Sequence, residues 1–366
     1  MPTKKSTPDF LLVFITLMLL AVGMIMVYSA SAAWATYKFE DSFFFAKRQL
    51  LFAGLGVIAM FFIMNIDYWT WRTWSKVVLI ICFILLVLVL IPGVGLVRGG
   101  ARSWIGVGAF SIQPSEFMKI AMIAFLAKYL SENQKKITSL KKGLIPSLSL
   151  VFFAFGMIML QPDLGTGTVM VGTCMVMIFV AGGRILHFVG LGLIGVLGFV
   201  ALIASAPYRI KRITSFLDPW EDPLGSGFQI IQSLYAIGPG GLLGLGLGKS
   251  RQKFFYLPEP QTDFIFAILA EELGFIGGSL VILLFALLLW RGVRIALGAP
   301  DLFGSFLAIG IISMIAIQVV INIGVVIGLM PVTGITLPFL SYGGSSLTLM
   351  LMAVGVLLNI SRYARY

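Results

Sequence analysis

Three acidic residues stand where apolar segments begin, and each could act as a base on a substrate hydroxyl. Asp263 follows "LPEPQT", Asp163 lies within "QPDLGTG", and Glu116 lies within "SIQPSEFMKIAM". A positioned carboxylate can take the proton of an attacking group. Each acid also has a structural alternative, because Asp is a good helix N-cap and Glu116 can pair with Lys119 three residues later. Because all three acids lie at the starts of apolar segments, the pattern favours one site that contains them all.

Two further carboxylates, Glu271 and Glu272, lie deeper in the apolar segment that Asp263 opens. Helical geometry puts Glu271 about 12 Å beyond Asp263 and turns Glu272 about 100° away from it. Adjacent acids at that depth cannot both face lipid, so they line the protein interior or pair with cations. We interpret both as members of a packing network.

Basic residues in the same parts of the chain could bind phosphate. Arg matches phosphate oxygens with two parallel N–H donors. Solvation, or contact with lipid headgroups, is the alternative for each side chain. The pattern favours a phosphate-bearing lipid as the ligand. The candidate contacts are Arg102, Arg209, Lys211 and Arg212, and further cations of these stretches are Arg98, Lys249, Arg251 and Lys253.

A stretch rich in Gly and Pro, "LMPVTGITLPFLSYGGSSL" (329–347), separates the last two apolar segments. Irregular backbone inside a membrane is tolerated only where protein covers it or where it lines a wet cavity. Ser341 and Gly343 could therefore offer a hydroxyl and a main-chain group to a ligand. A plain turn is an equal alternative.

The composition indicates that membrane-spanning helices carry these residues. Of the 366 residues, 59% are hydrophobic and 11% are charged, and the mean hydropathy is +1.03. Average soluble proteins have about 25% charged residues. The net charge of +11 does not indicate nucleic-acid binding, because the basic residues fall between apolar segments rather than on one soluble face.

Several familiar sites are excluded by the sequence. Cys82 and Cys174 lie in apolar runs and are interpreted as small buried hydrophobes. The single histidine, His187, has no Cys or second His at ligand spacing, so no metal site is predicted there. The stretch "GLGLGKS" ends like a Walker A loop, but Leu243 stands where that loop needs Gly, and no strand precedes it.

Apolar runs of roughly 20 residues, the length that crosses a bilayer, predict ten transmembrane helices. The predicted spans are about 10–29, 49–66, 77–92, 114–130, 143–160, 164–182, 186–205, 264–290, 302–330 and 346–361. The expected fold class is all-α, a polytopic membrane protein with a single domain over residues 1–366. An even number of spans puts both termini on one side.

The distribution of Lys and Arg predicts that both termini are cytoplasmic, because cytoplasmic loops retain positive charge. The short loops on the other side hold Lys38, Lys47, Arg48, Arg98 and Arg102. The cytoplasmic segments hold more, namely Lys4, Lys5, Arg72, Lys76, Lys128, Lys135, Lys136, Lys141, Lys142, Arg184, Arg291, Arg294, Arg362 and Arg365. All seven tryptophans fall at or beyond the predicted span ends, as interfacial aromatic belts require.

With this topology the irregular stretches 93–113, 161–163, 206–263 and 331–345 lie outside. The large outer loop, 206–263, lies between predicted helices seven and eight. Its amphipathic run near 228–237 indicates an interfacial or re-entrant segment. Function is expected on this face, where no ATP is available and a reaction must use energy stored in its substrate.

Six ordered motifs span essentially the whole chain. They are "GARSWI" (100–105), "QPSEFMK" (113–119), "QPDLGTG" (161–167), "DPWEDPLGSGFQIIQS" (218–233), "PEPQTDFIFAILAEELGF" (258–275) and "LPFLSYGGSS" (337–346). Together they resemble the SEDS family (shape, elongation, division and sporulation), the polytopic peptidoglycan polymerases of bacteria. In one departure from the family pattern, Ser103 stands where many relatives have a second Arg.

The resemblance implies that lipid II, an undecaprenyl-pyrophosphate disaccharide peptide, is polymerised at the bacterial cytoplasmic membrane, for spore cortex or septal wall. It implies that Asp263, the aspartate of "QTDF", is essential. The expected partners are lipid II, undecaprenyl pyrophosphate, membrane lipids and a class B penicillin-binding protein acting as transpeptidase, with no nucleic acid. No cofactor is certain, and a role for a divalent cation, Mg²⁺ or Mn²⁺, is left open.

One carboxylate can suffice for this reaction, because pyrophosphate departs without a general acid. Inversion from an α-linked donor to a β-1,4 bond follows from a single in-line displacement, unlike the two-carboxylate chemistry of hydrolases. Asp163 and the Glu116–Lys119 pair are expected to shape the cavity.

Two other functions remain as alternatives. A transporter that flips the same lipid would also combine ten spans with buried acids, although the inner halves of these spans have few polar groups. A scaffold for a transpeptidase, with no activity of its own, is the second alternative.

Overall fold

Long apolar helices make up most of the protein. The computed structural model describes residues 6–98, 100–107, 110–204, 210, 214, 216–225, 227–254 and 256–365. The helices are α1 (Phe10–Phe39), α2 (Phe44–Met64), α3 (Trp69–Leu90), α4 (Pro114–Glu132), α5 (Gln134–Ile137), α6 (Ile145–Met159), α7 (Leu164–Val180), α8 (Ile185–Ala204), α9 (Phe228–Gly240), α10 (Ile265–Gly298), α11 (Leu302–Val326) and α12 (Gly344–Ser361). A π-helical turn, Leu140–Leu144, leads into α6.

Within the described residues, 7 helical segments are long and apolar enough to cross a membrane. They are Phe10–Phe39, Phe44–Met64, Trp69–Leu90, Leu140–Met159, Ile265–Gly298, Leu302–Val326 and Gly344–Ser361. The other three predicted spans fall on α4, α7 and α8. Charged side chains interrupt the apolar character of α4, and α7 has only 17 residues.

α1 continues well beyond the apolar run that predicted it. Ser31 keeps the helix intact by donating to the carbonyl of Val27 at 2.7 Å, a bond to the preceding turn that a helical Ser can make. The helix ends at Glu40, whose φ of 57° is left-handed and whose N–H donates to Thr36. The small residues after position 29 therefore belong to the helix.

A small antiparallel sheet, which the all-α prediction missed, lies between α3 and α4. Its strands are β1 (Leu96–Arg98), β2 (Ala101–Val107) and β3 (Phe110–Ile112), in the order β1-β2-β3. Val97 pairs with Arg102, and Ile105 pairs with Ile112. Strands this short give little periodic signal, so the stretch 93–113 was predicted only as irregular.

α4 and α11 form the centre of the bundle. α4 contacts α3, α7 and α11, while α11 also contacts α10, and α12 packs along α2. A Cβ at Gly355 would lie 2.6 Å from the carbonyl oxygen of Met60, so glycine permits the close approach of α12 to α2. The first and last parts of the described chain meet, because Ser6 N–H donates to the carbonyl of Arg362 at 2.8 Å.

α10 is interrupted at Gly274, whose φ of 66° and ψ of −165° are not helical. The chain that follows α9 fills the gap in the helix. Leu245 N–H donates to the carbonyl of Glu271 at 2.9 Å, and Gly246 N–H donates to that of Glu272 at 3.0 Å. Carbonyls that the break leaves without helical donors are thereby satisfied.

The inserted chain also bonds to the helix beyond the break. Phe275 N–H donates to the carbonyl of Gly241 at 2.8 Å. A Cβ at Gly274 would lie 2.3 Å from the nitrogen of Gly244. Glycine is required at position 274 both for this approach and for its positive φ.

Candidate functional site

Asp263 lies immediately before α10 and is half-buried. Its Oδ1 accepts a hydrogen bond from the Thr262 hydroxyl at 2.6 Å. The N-cap of α10 is Phe264, and no side chain caps this helix. The alternative that Asp263 is a helix cap is therefore wrong.

Two buried side chains from other elements hold the main chain around Asp263. Ser341 Oγ donates to the carbonyl of Thr262 at 2.6 Å, and Asn322 Nδ2, from α11, donates to the carbonyl of Asp263 at 2.7 Å. The same amide donates to the carbonyl of Ile335 at 2.7 Å. The backbone is thus fixed on both sides of the side chain that could do the chemistry.

Ser341 and Gly343 lie in an irregular segment, residues 331–343, that connects α11 to α12. Leu337 N–H donates to Ser341 Oγ at 2.8 Å. Gln49 of α2 donates to the carbonyl of Ser341 at 3.0 Å and accepts from Gly343 N–H at 3.3 Å. Residues 337–341 are buried, so protein covers this part of the segment, as irregular backbone in a membrane requires. The predicted ligand contacts of Ser341 and Gly343 stay predictions.

Asp163 joins the starts of α4 and α7. Its Oδ1 accepts from Thr166 N–H at 3.1 Å, and its Oδ2 accepts from Gln113 Nε2 at 2.7 Å and Ser115 Oγ at 3.1 Å. The first of these bonds is an N-cap of α7, so the capping alternative for Asp163 is confirmed. The other two tie the cap to the helix that carries Glu116.

The irregular segment 331–343 passes close to both aspartates. A Cβ at Gly165 would lie 2.8 Å from the carbonyl oxygen of Thr333, so this segment packs against the first turn of α7. At its other end, Ser341 reaches the backbone beside Asp263. One stretch of chain therefore connects the surroundings of Asp163 with those of Asp263.

Glu116 and Lys119 form the predicted pair. Lys119 Nζ lies 2.8 Å from Glu116 Oε1, and the two side chains are 2% and 10% exposed, Lys119 being the more buried. An ion pair this dry must remain intact, because loss of one partner would leave an uncompensated charge in the bundle.

Glu271 and Glu272 are buried and bind the chain that fills the break in α10. Glu272 pairs with Lys253 at 3.0 Å and accepts from the Ser29 hydroxyl of α1 at 2.7 Å. Glu271 accepts from the Ser250 hydroxyl at 2.5 Å. The interpretation of both acids as members of a packing network is confirmed.

The predicted phosphate contacts are described only in part. Arg102 lies on β2 and is half-buried. Arg209, Lys211 and Arg212 lie outside the described residues. Lys253, one of the further cations, is engaged by Glu272. Phosphate binding by Arg102 and by the three undescribed residues stays a prediction.

Sequence reasoning missed three polar residues that organise this region, Asn322, Gln49 and Ser29. Each lies in an apolar helix and bonds to a different segment. An isolated polar residue inside a membrane segment is expected to face the protein interior and to carry a role. That signal was present in the sequence, but it does not tell which partner each residue binds.

No group of three or more His, Cys, Asp or Glu side chains able to hold a metal ion occurs in the part of the chain that the structure describes. Cys82 and Cys174 are buried and free, as interpreted from the sequence.

These observations define a multi-pass membrane protein in which a half-buried aspartate is fixed by hydrogen bonds from side chains of distant segments to its backbone. Asp263 and Ser341 lie in two of the motifs that carry the resemblance described above, whereas Asn322 lies outside all six. The chain belongs to the SEDS family, since the model of the FtsW, RodA and SpoVE family, described as cell cycle protein, matches residues 10–366.

Relatives of known name are similar over the whole chain. Stage V sporulation protein E of Bacillus subtilis is 81% identical over 366 residues, with 100% of both chains covered. A probable peptidoglycan glycosyltransferase FtsW of Trichlorobacter lovleyi is 46% identical over 360 residues, covering 98% of this chain and 94% of that protein.

Solved structures are also similar. A chain from a peptidoglycan synthase complex, described as coordinating polymerization and crosslinking, has a TM-score of 0.80 at 34% identity, covering 97% of this chain and 98% of the other. The rod shape determining protein RodA of Thermus thermophilus has a TM-score of 0.73 at 31% identity, covering 97% of each chain.

Proposed function

We propose that this protein is a peptidoglycan glycosyltransferase that polymerises lipid II into β-1,4 glycan strands, with Asp263 as the general base. The observation that carries the proposal is the fixation of the backbone at Asp263, where Asn322 binds the Asp263 carbonyl and Ser341 binds the Thr262 carbonyl. A base is effective when it is held in the geometry of attack. The names of the FtsW relatives, probable peptidoglycan glycosyltransferases, support the reaction.

In the proposed reaction, the Asp263 carboxylate takes the proton of the acceptor sugar hydroxyl. The freed oxygen attacks the anomeric carbon of the donor, one glycosidic C–O bond forms, and the C–O bond to pyrophosphate breaks. The configuration inverts because the displacement is a single in-line step. Pyrophosphate leaves as a stable anion, and the proton on Asp263 passes to water before the next cycle.

Cations in the outer segments would offset the charge that develops on the pyrophosphate, which is the usual way in which a site stabilises a departing anion. We assign this role to Arg102, Arg209, Lys211 and Arg212. A divalent cation, Mg²⁺ or Mn²⁺, would bind mainly through the pyrophosphate oxygens, because Mg²⁺ keeps few protein ligands in phosphate sites.

The other predicted site residues support the cavity in this proposal. The Glu116–Lys119 pair and Asp163 fix the starts of α4 and α7. Ser341 acts as a positioning residue for Asp263, and Gly343 fixes the same segment to α2.

The proposed topology has ten spans, cytoplasmic termini, an outer loop over 206–263, and a single domain over 1–366. The bond between Ser6 and Arg362 supports a common side for both ends of the chain. The apolar helices α7 and α8, and the buried α4, supply the crossings beyond the seven long segments.

A class B penicillin-binding protein is the proposed partner. The similar chain of known structure belongs to a complex that couples polymerization to crosslinking, and crosslinking requires a transpeptidase. The sporulation relative supports a role in the spore cortex, and the FtsW relatives support a septal role.

The test compares two charge-neutralising variants in a polymerisation assay with fluorescent lipid II. Asp263→Asn should stop strand formation, whereas the control Glu259→Gln should leave it unchanged, because Glu259 is an exposed acid of the same segment. Thermal unfolding of both variants checks that the bundle is intact. Normal strand formation by folded Asp263→Asn would remove Asp263 from the mechanism.

A second arm separates the enzyme from its alternatives. The purified protein is placed in liposomes with lipid II on one side, and lipid transfer and strand formation are followed together. Transfer without strands would identify a transporter. An absence of both, with a normal increase in crosslinking when the partner transpeptidase is given preformed glycan strands, would identify a scaffold.

A further inference from the structure

A groove with apolar walls runs between α4 and α6, at the end of α4 that is remote from Asp163. Its volume is about 380 Å³, and its walls include Phe125, Tyr129, Pro146, Ser149, Leu150 and Phe153. Phe153 is 60% exposed, so the groove opens on the membrane-facing side of the bundle. Its lining suits a hydrocarbon chain.

One end of this groove carries a concentration of positive charge. Tyr129, in its wall, donates to the carbonyl of Gly143 at 3.3 Å, and Gly143 belongs to the π-helical turn that leads into α6. Lys141 and Lys142 stand exposed on this turn. Lys135 and Lys136 are exposed on the adjoining α5.

The turn that carries these lysines is compact. A Cβ at Gly143 would lie 2.2 Å from the carbonyl oxygen of Lys136, so α5 and the π-helical turn are stacked against each other. The nearby acid Glu132 pairs with Arg72 at 3.1 Å and does not offset the four lysines. An apolar groove that ends at clustered ammonium groups matches a ligand with a hydrocarbon chain and an anionic head.

We propose that this groove binds an anionic diacyl phospholipid, with one acyl chain between α4 and α6 and the phosphate beside Lys141 and Lys142. The site lies at the opposite end of α4 from Asp163 and is separate from the polymerisation site. Each basic residue near an anionic headgroup strengthens binding by about fivefold. Removal of Lys141 and Lys142 together should weaken binding by about tenfold or more.

The test titrates the purified full-length protein with dioleoyl phosphatidylglycerol and, separately, with dioleoyl phosphatidylcholine, and counts retained lipids by native mass spectrometry. Lys141→Ala with Lys142→Ala should lose phosphatidylglycerol selectively. Ser149→Trp, which fills the groove, should reduce retention of the same lipid. The matched control, Lys38→Ala with Arg294→Ala, removes two positive charges from α1 and α10 and should keep the wild-type affinity.

Any of three results would overturn the proposal. Equal weakening by the control pair would mean that binding follows net charge alone, and equal affinity for phosphatidylcholine would remove the role of the lysines. A third arm adds undecaprenyl pyrophosphate, and displacement of phosphatidylglycerol by it at lower concentration would reassign the groove to the polyprenyl lipid. Unchanged lipid II polymerisation by the lysine and Ser149 variants verifies that they fold.

Discussion

The side-chain amide of Asn322 donates hydrogen bonds at 2.7 Å to two main-chain carbonyls, those of Asp263 and Ile335. Asn322 is 1% exposed and lies within α11. One side chain of a central helix therefore fixes two irregular segments relative to each other.

Replacement of Asn322 by Ala should reduce the rate of polymerisation more than it reduces stability. Two buried carbonyls lose their donor, which costs about 1–3 kcal/mol, and a displaced base costs about 100-fold in rate for a shift near 1 Å. The measurement is kcat with fluorescent lipid II, beside thermal unfolding.

The control for Asn322 is Gln318→Leu, one turn earlier on α11. Gln318 is also buried, but its Oε1 has no hydrogen-bond partner among the described residues, so the variant should remain active. Similar losses of kcat in both variants would mean that α11 tolerates no change on this face. That result would count against a positioning role for Asn322.

Two substitutions of Asp263 should lower kcat to different extents. Asp263→Asn removes the base and should lower kcat by about 10²- to 10⁴-fold, the usual contribution of a general base. Asp263→Glu keeps the charge but moves it by one methylene, so it should retain more activity than Asn. Equal inactivity of both would indicate that position, and not basicity alone, limits the rate.

Gly274→Ala should destabilise the protein severely. A Cβ would collide with the Gly244 nitrogen, and Ala is strained at a φ of 66°, so the loss should exceed about 2 kcal/mol. Gly156→Ala is the matched control, because nothing lies within 4 Å of its Cβ position on α6. Thermal unfolding measures both, and an unaltered midpoint for Gly274→Ala would contradict the observed break in α10.

The buried pair of Lys253 and Glu272 should show strong coupling in a double-mutant cycle. Lys253→Met leaves the Glu272 charge uncompensated and should cost about 3–5 kcal/mol. Adding Glu272→Gln should recover part of that loss, because the second change removes the orphaned charge. Additive losses of unfolding free energy would show that Lys253 and Glu272 stabilise the inserted chain independently.

Much of the architecture could be predicted from the sequence, because a membrane imposes a simple length rule on apolar runs. The starts of α10, α11 and α12 agree with the predicted spans to within two residues or so. The pair of Glu116 and Lys119 followed from helical spacing, and the network of Glu271 and Glu272 followed from the cost of buried charge.

The failures have physical causes. The sheet at 96–112 is too short for periodicity to reveal it. A cap at Asp263 was a sound local expectation, yet the backbone turns once more and leaves Phe264 at that position. The links made by Asn322 and Gln49 join residues far apart in sequence, which local pattern cannot anticipate.

The gap in α10 has a mechanical consequence. A continuous rod would transmit any tilt imposed by a thicker or thinner bilayer along its whole length. Here the hydrogen bonds around position 274 run sideways into the inserted chain, so a tilt of the helix beyond Gly274 need not propagate to residues 265–273. The first part of α10, which follows Asp263, can keep its alignment while the rest of the helix adjusts.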